Sequence, residues 1–228
     1  MAVRTMIARR IAEVFWQGLP AYFMMAVFLL SVGWWLLGLA ITRYGIADAA
    51  SEIAHHVLGL GFGQASAVAY AAARCAPPAW LDYMRRRHNG EWDALAALDI
   101  NGPAYVCTPW LLASTLAATG FWALYYALYL CVEQVYPVVA SWAGVAFVSI
   151  PSGIYASLST LAFSMPCVAV GGFTVAWVAL LLAIRMHAIS SSTHAQLVRG
   201  SGVVLRVYLI ALGSAGCVLL LLYAIFQL

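Results

Sequence analysis

The sequence contains no lysine; all eleven of its basic residues are arginines. That excludes a lysine Schiff base to retinal or pyridoxal phosphate, and it excludes a P-loop lysine. Charge of either sign is scarce: 8% of residues are charged, against roughly 25% in an ordinary soluble domain. No acidic residue follows Glu133, and the five cysteines include no CxxC pair. What fills the chain instead is apolar. Of its 228 residues 65% are hydrophobic and the mean hydropathy is +0.92, which is the composition of a membrane protein.

The charged residues cluster and leave four long uncharged runs, Val14 to Thr42, Ile100 to Val132, Gln134 to Ile184 and Val207 to Leu228. Each exceeds the ~20 apolar residues that carry a helix across a ~30 Å hydrocarbon core. The first is too long for the ~7–15-residue apolar region of a secretory signal and reads as a retained helix. The third would span about 76 Å as one helix, more than two hydrocarbon thicknesses, and must turn back once. The break is expected at Ser164-Met165-Pro166, because proline fits best in the first turn of a new helix.

The expected fold is therefore all-α: a polytopic membrane helix bundle of five transmembrane helices. They run roughly from Leu19 to Thr42, Pro109 to Cys131, Tyr136 to Leu158, Met165 to Arg185 and Val203 to Phe226. Helices are the default in a bilayer, which offers no water to unpaired backbone groups. Residues 1–228 form a single integral membrane domain, with a tight inner turn at Glu133.

Arginine placement orients this bundle. Arg4, Arg9 and Arg10 lie in the N-terminal segment 1–18, and Arg185, Arg199 and Arg206 in or beside the connection 186–202. The positive-inside rule puts both in the cytoplasm and the C-terminus outside, in an inner (plasma) membrane of bacterial type. Residues 43–102, with five arginines and six acids, then form a small helical outer cap between the first and second spans. Its longest helix, Ala-rich, lies on the membrane or beside the bundle and ends at Cys75-Ala-Pro-Pro. Short helices follow at Trp80 to Arg87 and Glu91 to Leu98, and Asp48 is a plausible N-cap for the first. The alternative makes Ile53 to Ala73 a sixth span, which moves Arg85-Arg86-Arg87 inside but pushes Arg185, Arg199 and Arg206 outside, against the positive-inside rule.

The stretch Ser149-Ile-Pro-Ser-Gly-Ile-Tyr-Ala-Ser-Leu-Ser-Thr160 resembles the central motif of the type-2 phosphatidic acid phosphatase family. The match covers Pro151-Ser152-Gly153 with Ala156 and Ser157, but Ile154 stands where that family has its acid histidine. The family's other motifs require a lysine, an Arg-Pro pair and a late aspartate, all missing here, so the nucleophile and proton donor of that phosphoryl transfer are absent. Ser149, Gly153 and Ser157 recur every four residues instead, a small-residue seam for helix packing, and Pro151 is expected to kink it.

Chemistry-bearing residues gather in the 43–102 segment. Glu52 and His56 are four apart, with His55 adjacent and His88, Glu91 and Asp93 further on, and these side chains are acceptable ligands for a first-row metal. His55, His56, His88 and Glu52 are the metal candidates. No span holds the facing histidine pair of an internal haem, nor the ionisable chain of a proton pathway. Trp122, Tyr125, Tyr126 and Tyr129 form an aromatic stripe, read as packing or interface anchoring in preference to a lipid or quinone site. Cys75, Cys107 and Cys167 approach the outer face, where a disulfide can persist, and Cys131 and Cys217 are read as buried thiols.

These residues point to a non-catalytic structural or assembly subunit of a larger inner-membrane complex, in secretion, conjugation or energy transduction. Its expected partners are the lipid bilayer and other membrane subunits, with no nucleic acid and no cofactor. The alternatives are a redox subunit binding haem or a metal near the outer-loop histidines, and a passive channel or lipid-handling protein.

Overall fold

The computed structural model describes residues 2–44, 54–142 and 158–189, together with 206, 208–210, 213–214 and 216–217. The described elements are six helical segments. Helix α1 is Ala2–Tyr44; a π-helical segment, Ala54–Phe62, leads directly into α2, Gly63–His88; α3 is the short Glu91–Ala97, α4 is Gly102–Trp142 and α5 is Leu158–Ile189. Three stretches are long and apolar enough to cross a membrane, Thr5–Ala40, Ala104–Val135 and Ser164–Arg185, so the chain is a multi-pass integral membrane protein.

Helix α4 is the centre of the bundle, packed against α1, α2 and α5, while α2 and α5 also pack on each other. The side chains explain this arrangement. On α2 the buried positions include Gly63, Ala67, Ala71, Cys75 and Ala79, small residues every four that let neighbouring backbones come close. Facing them, α4 supplies bulk: Phe121, Trp122, Tyr125, Tyr126 and Tyr129 are all buried. The aromatic stripe read from the sequence is thus part of the core. A Cβ on Gly63 would come within 2.7 Å of the Tyr125 ring, so the smallest residue sits under the largest neighbour.

Helix α1 attaches by a single stripe, Val14, Gly18, Tyr22, Ala26, Leu30, Trp34 and Leu37. Only 22% of its apolar window is buried, against 39% for α4 and 44% for α5. Its other faces present Trp16, Phe23, Met24, Phe28 and Trp35, a surface suited to lipid.

The register of α1, α2 and α4 follows from side-chain contacts. Arg10 of α1 meets Asp82 of α2, which accepts from Trp110 of α4. Midway, the Tyr70 hydroxyl donates to the Gly18 carbonyl, and the Tyr22 and Ser66 hydroxyls lie 3.2 Å apart. At the other end a Cβ on Gly33 would strike Leu58, and Trp34 stacks on Tyr129. Residues 54–88 therefore run antiparallel to α1 and α4 along the bundle. The end marked by Arg10, Asp82 and Trp110 is called the near end below, and the end marked by Trp34, Leu58 and Tyr129 the far end.

The junction between the π-helical segment and α2 is fastened by Tyr125, whose hydroxyl donates to the Leu58 carbonyl at 2.9 Å in a buried setting. Tyr125→Phe should lower stability by about 1 kcal/mol. Thermal unfolding in detergent should show this as a fall of about 2–4 °C.

Several expectations are corrected. The helix does not end at Cys75-Ala-Pro-Pro, and Trp80 to Arg87 is not a separate element: α2 runs through Pro77 and Pro78 to His88. Packing against α4 and α5 holds the helical path although two backbone donors are missing. No turn interrupts the chain at Glu133, since α4 is continuous to Trp142; no new helix starts at Tyr136. Nor does the chain break at Ser164-Met165-Pro166, where α5 is already helical from Leu158. In an apolar setting an unbroken backbone ladder outweighs the local preference of a proline. Of the 43–102 segment, the longest described helix packs against α4 and α5, and α3, close to the expected Glu91 to Leu98, packs on α2 and α4 at the near end. The rest of the expected Tyr136 to Leu158 span, most of Val203 to Phe226, and Asp48 fall outside the described residues.

Candidate functional site

At the near end the helices are joined by a polar network centred on Asp82. Its Oδ2 accepts from an Arg10 guanidinium nitrogen at 3.2 Å and from the indole Nε1 of Trp110 at 3.0 Å; its Oδ1 accepts from Arg86 Nε at 3.0 Å. Arg10 also donates to Glu13, which receives a second bond from Arg9, and Arg86 reaches Glu91 of α3. The Arg10 guanidinium stands 4.8 Å over the Trp110 ring. One carboxylate thus ties α1, α2 and α4 together, and Arg86 adds α3.

Local sequence explains each position. Arg86 follows Asp82 by four residues and Glu13 follows Arg9 by four, so each pair shares a helix face. Gly90, with φ of 71°, makes the left-handed turn between α2 and α3. Trp92 then packs edge-on against Tyr83, 4.9 Å between ring centroids, and fills the space beside Gly102. Burial of the Arg86 guanidinium opposes its charge, but the Asp82 and Glu91 carboxylates outweigh that effect and raise its pKa above the ordinary value. Asp82, Arg10 and Arg86 are each only 19–29% exposed at the side chain, so their mutual attraction is less screened than on an open surface.

The contact between Arg10 and Asp82 also bears on topology. The sequence reading separates an inner segment 1–18 from an outer segment 43–102, yet these two residues are hydrogen-bonded. Both segments reach the same end of the bundle.

Arg74 is a second unusual charge. It lies on α2 eight residues before Asp82, about 12 Å further into the bundle along the helix. Its side chain is half-buried, and a Cβ on Gly18 would come within 3.5 Å of its Nε. Among the described residues no carboxylate pairs with it.

Of the metal candidates, His56 and His88 are not brought together. His56 and His88 sit at opposite ends of the continuous 54–88 helical path, about 45 Å apart. Both are exposed. His55 lies in the π-helical segment beside His56, and Glu52 is outside the described residues. No group of three metal-ligating side chains forms among the described residues. The seam at Ser149, Gly153 and Ser157 also falls outside them; the small-residue packing that is described lies on α2 and at Gly172.

The cysteines depart from expectation. Cys75 is fully buried at the α2–α4–α5 core, whereas Cys131 and Cys217 are exposed, and the five are free thiols.

Asp82 and Arg74 are the residues that sequence reasoning missed. The Asp82-Arg86 spacing was available as a signal, but Arg10 and Trp110 lie 72 and 28 residues from Asp82 in the chain. No family model and no curated protein matches this sequence.

Proposed function

We propose that the chain is a non-catalytic structural or assembly subunit of a larger inner-membrane complex, and that the 54–88 helical path crosses the bilayer alongside the three long apolar helices. The observation that carries the subunit reading is an overshoot. From Arg10 to Tyr44 α1 extends about 51 Å, and from Trp110 to Trp142 α4 extends about 48 Å, whereas the hydrocarbon core is about 30 Å thick. With the charged network held at one membrane surface, both helices project past the other. Leu39, Tyr44, Val135 and Val138 are exposed on the projecting part. Apolar helix surface beyond the bilayer calls for a protein neighbour.

The crossing reading is supported by the antiparallel register of α2 with α1 and α4. It brings Arg85, Arg86 and Arg87 to the same end as Arg9 and Arg10, which the positive-inside rule makes cytoplasmic.

Two measurements test these points. In a variant whose native cysteines are alanine, single cysteines at positions 44 and 87 are exposed to an impermeant maleimide in spheroplasts. Label is expected at 44 and not at 87; label at 87 would return the 43–102 segment to the outer face. Gentle extraction of the native protein followed by native mass spectrometry should show stoichiometric membrane partners without a Soret band. A protein running alone, or one carrying haem, would overturn the subunit reading.

A further inference from the structure

We propose that Arg74 is the docking point for a transmembrane helix of a partner protein that carries a carboxylate at matching depth. This rests on the reading of residues 54–88 as a crossing helix and deepens the subunit proposal by naming the partner's chemistry.

Depth is the first argument. Arg74 lies about 12 Å inward of the Asp82 level. Helical side chains lean toward the N-terminus of their own helix, which on α2 is the far end, so the backbone geometry does not carry Arg74 toward the near surface. Its Nε lies by Gly18, and Gly18 is in turn about 12 Å along α1 from Arg10. An arginine at such depth is costly unless paired.

The second argument is charge. The described carboxylates nearest in the bundle, Glu13, Asp82 and Glu91, are engaged with Arg9, Arg10 and Arg86 at the near end. Glu133 lies beyond Tyr129 at the far end. No described carboxylate of this chain stands at the depth of Arg74. The described residues leave that negative charge unsupplied, and a partner chain can provide it.

The third argument is shape and backbone polarity. The contact between α1 and α2 is slight compared with what each makes with α4. Gly18 has no side chain, so α1 comes close to α2 and α4 there: a Cβ on Gly18 would lie 3.0 Å from Phe121 and 3.2 Å from Tyr70, and the half-buried Arg74 stands at the edge of this contact. Pro77 and Pro78 carry no N–H, which removes the usual i+4 donors from the carbonyls of Ala73 and Arg74. The edge of α2 at Arg74 therefore offers a cation beside under-bonded carbonyls, and a helix with an aspartate or glutamate flanked by a hydroxyl residue satisfies both. A lipid phosphate, which belongs outside the hydrocarbon core, fits this depth poorly.

The test uses the full chain reconstituted in phosphatidylcholine vesicles. The probe is a fluorescent Leu/Ala helix of about 20 residues with one aspartate placed about 12 Å from one end; its asparagine counterpart is the control. Energy transfer should report binding to the wild type and to Arg74→Lys that is at least about tenfold tighter than to Arg74→Leu, a difference of one decade in Kd. The asparagine helix should not distinguish them. Equal binding to the wild type and Arg74→Leu would overturn the proposal. So would discrimination seen only with phosphatidylglycerol present, accompanied by loss of bound anionic lipid from Arg74→Leu; that outcome assigns Arg74 to a lipid phosphate. A single cysteine at position 74 separates the two readings. Rapid labelling by impermeant maleimide would place the residue in water and overturn the crossing helix itself, whereas protection without peptide discrimination would overturn only the docking.

Discussion

Gly172→Val should be the most damaging single substitution in the described bundle, with loss of monodisperse protein on size-exclusion chromatography in detergent. A Cβ at Gly172 would stand 2.7 Å from the Ala118 Cβ, 2.8 Å from the Ser114 carbonyl oxygen and 3.1 Å from the Thr115 Cα. None of these can rotate away, so α4 and α5 must separate. The crossing also carries a buried hydrogen bond, Ser114 Oγ to the Gly172 carbonyl at 2.7 Å, which stretches as the helices part. Alanine alone should cost about 1–3 kcal/mol by overpacking, and the two extra methyl groups of valine add to that. Gly216→Ala is the control, because nothing lies within 4 Å of its Cβ position. Comparable damage from both substitutions would mean that the loss reflects glycine chemistry in general and not this helix crossing.

Asp82→Ala should destabilise the bundle by about 2–3 kcal/mol, the range for hydrogen bonds to a charged group. Removal leaves Arg10 with Glu13 and Arg86 with Glu91, so both guanidinium groups keep a partner. The indole N–H of Trp110 does not, and that ring is only 3% exposed. Asp82→Asn keeps an acceptor but gives up the charge, and should fall between alanine and the wild type. Thermal unfolding in detergent should register Asp82→Ala as a loss of about 5–10 °C. An unchanged transition would show that Asp82 does not hold the near end together. Double variants with Arg86 should lose less than the sum of the single losses, because the two residues share an interaction.

The three apolar spans were legible because membrane solvation acts through simple length and hydropathy, and the uncharged runs around Val14, Ile100 and Gln134 record that directly. The 54–88 segment was legible as an alanine-rich helix, but its full length and its place against α4 and α5 were not. Alanine contributes little hydropathy per residue, and Arg74, Asp82 and the arginines at 85–87 mask what remains. Its burial comes from α4 and α5, which the local sequence does not contain. The same limit explains the prolines: Pro77, Pro78 and Pro166 carry real local penalties, but tertiary packing and the absence of water override them. The histidines misled in a different way. His56 and His88 looked neighbourly because a break was expected between them, and an unbroken helix keeps them far apart.

The alanine-rich helix α2 also bears on how this protein enters its membrane. The strongly apolar spans of α1, α4 and α5 partition into lipid on their own hydropathy, whereas a segment of alanines with an arginine in its middle gains little from contact with acyl chains. Its favourable contacts are protein contacts, and those partners are translated after it. During synthesis α2 would wait at the membrane surface or in the shelter of the insertion machinery until α4 emerges with Trp122, Tyr125 and Tyr129 to cover it. On the proposed crossing of residues 54–88, biogenesis of this bundle would be cooperative across three helices, and truncation of the chain before α4 would leave α2 uninserted.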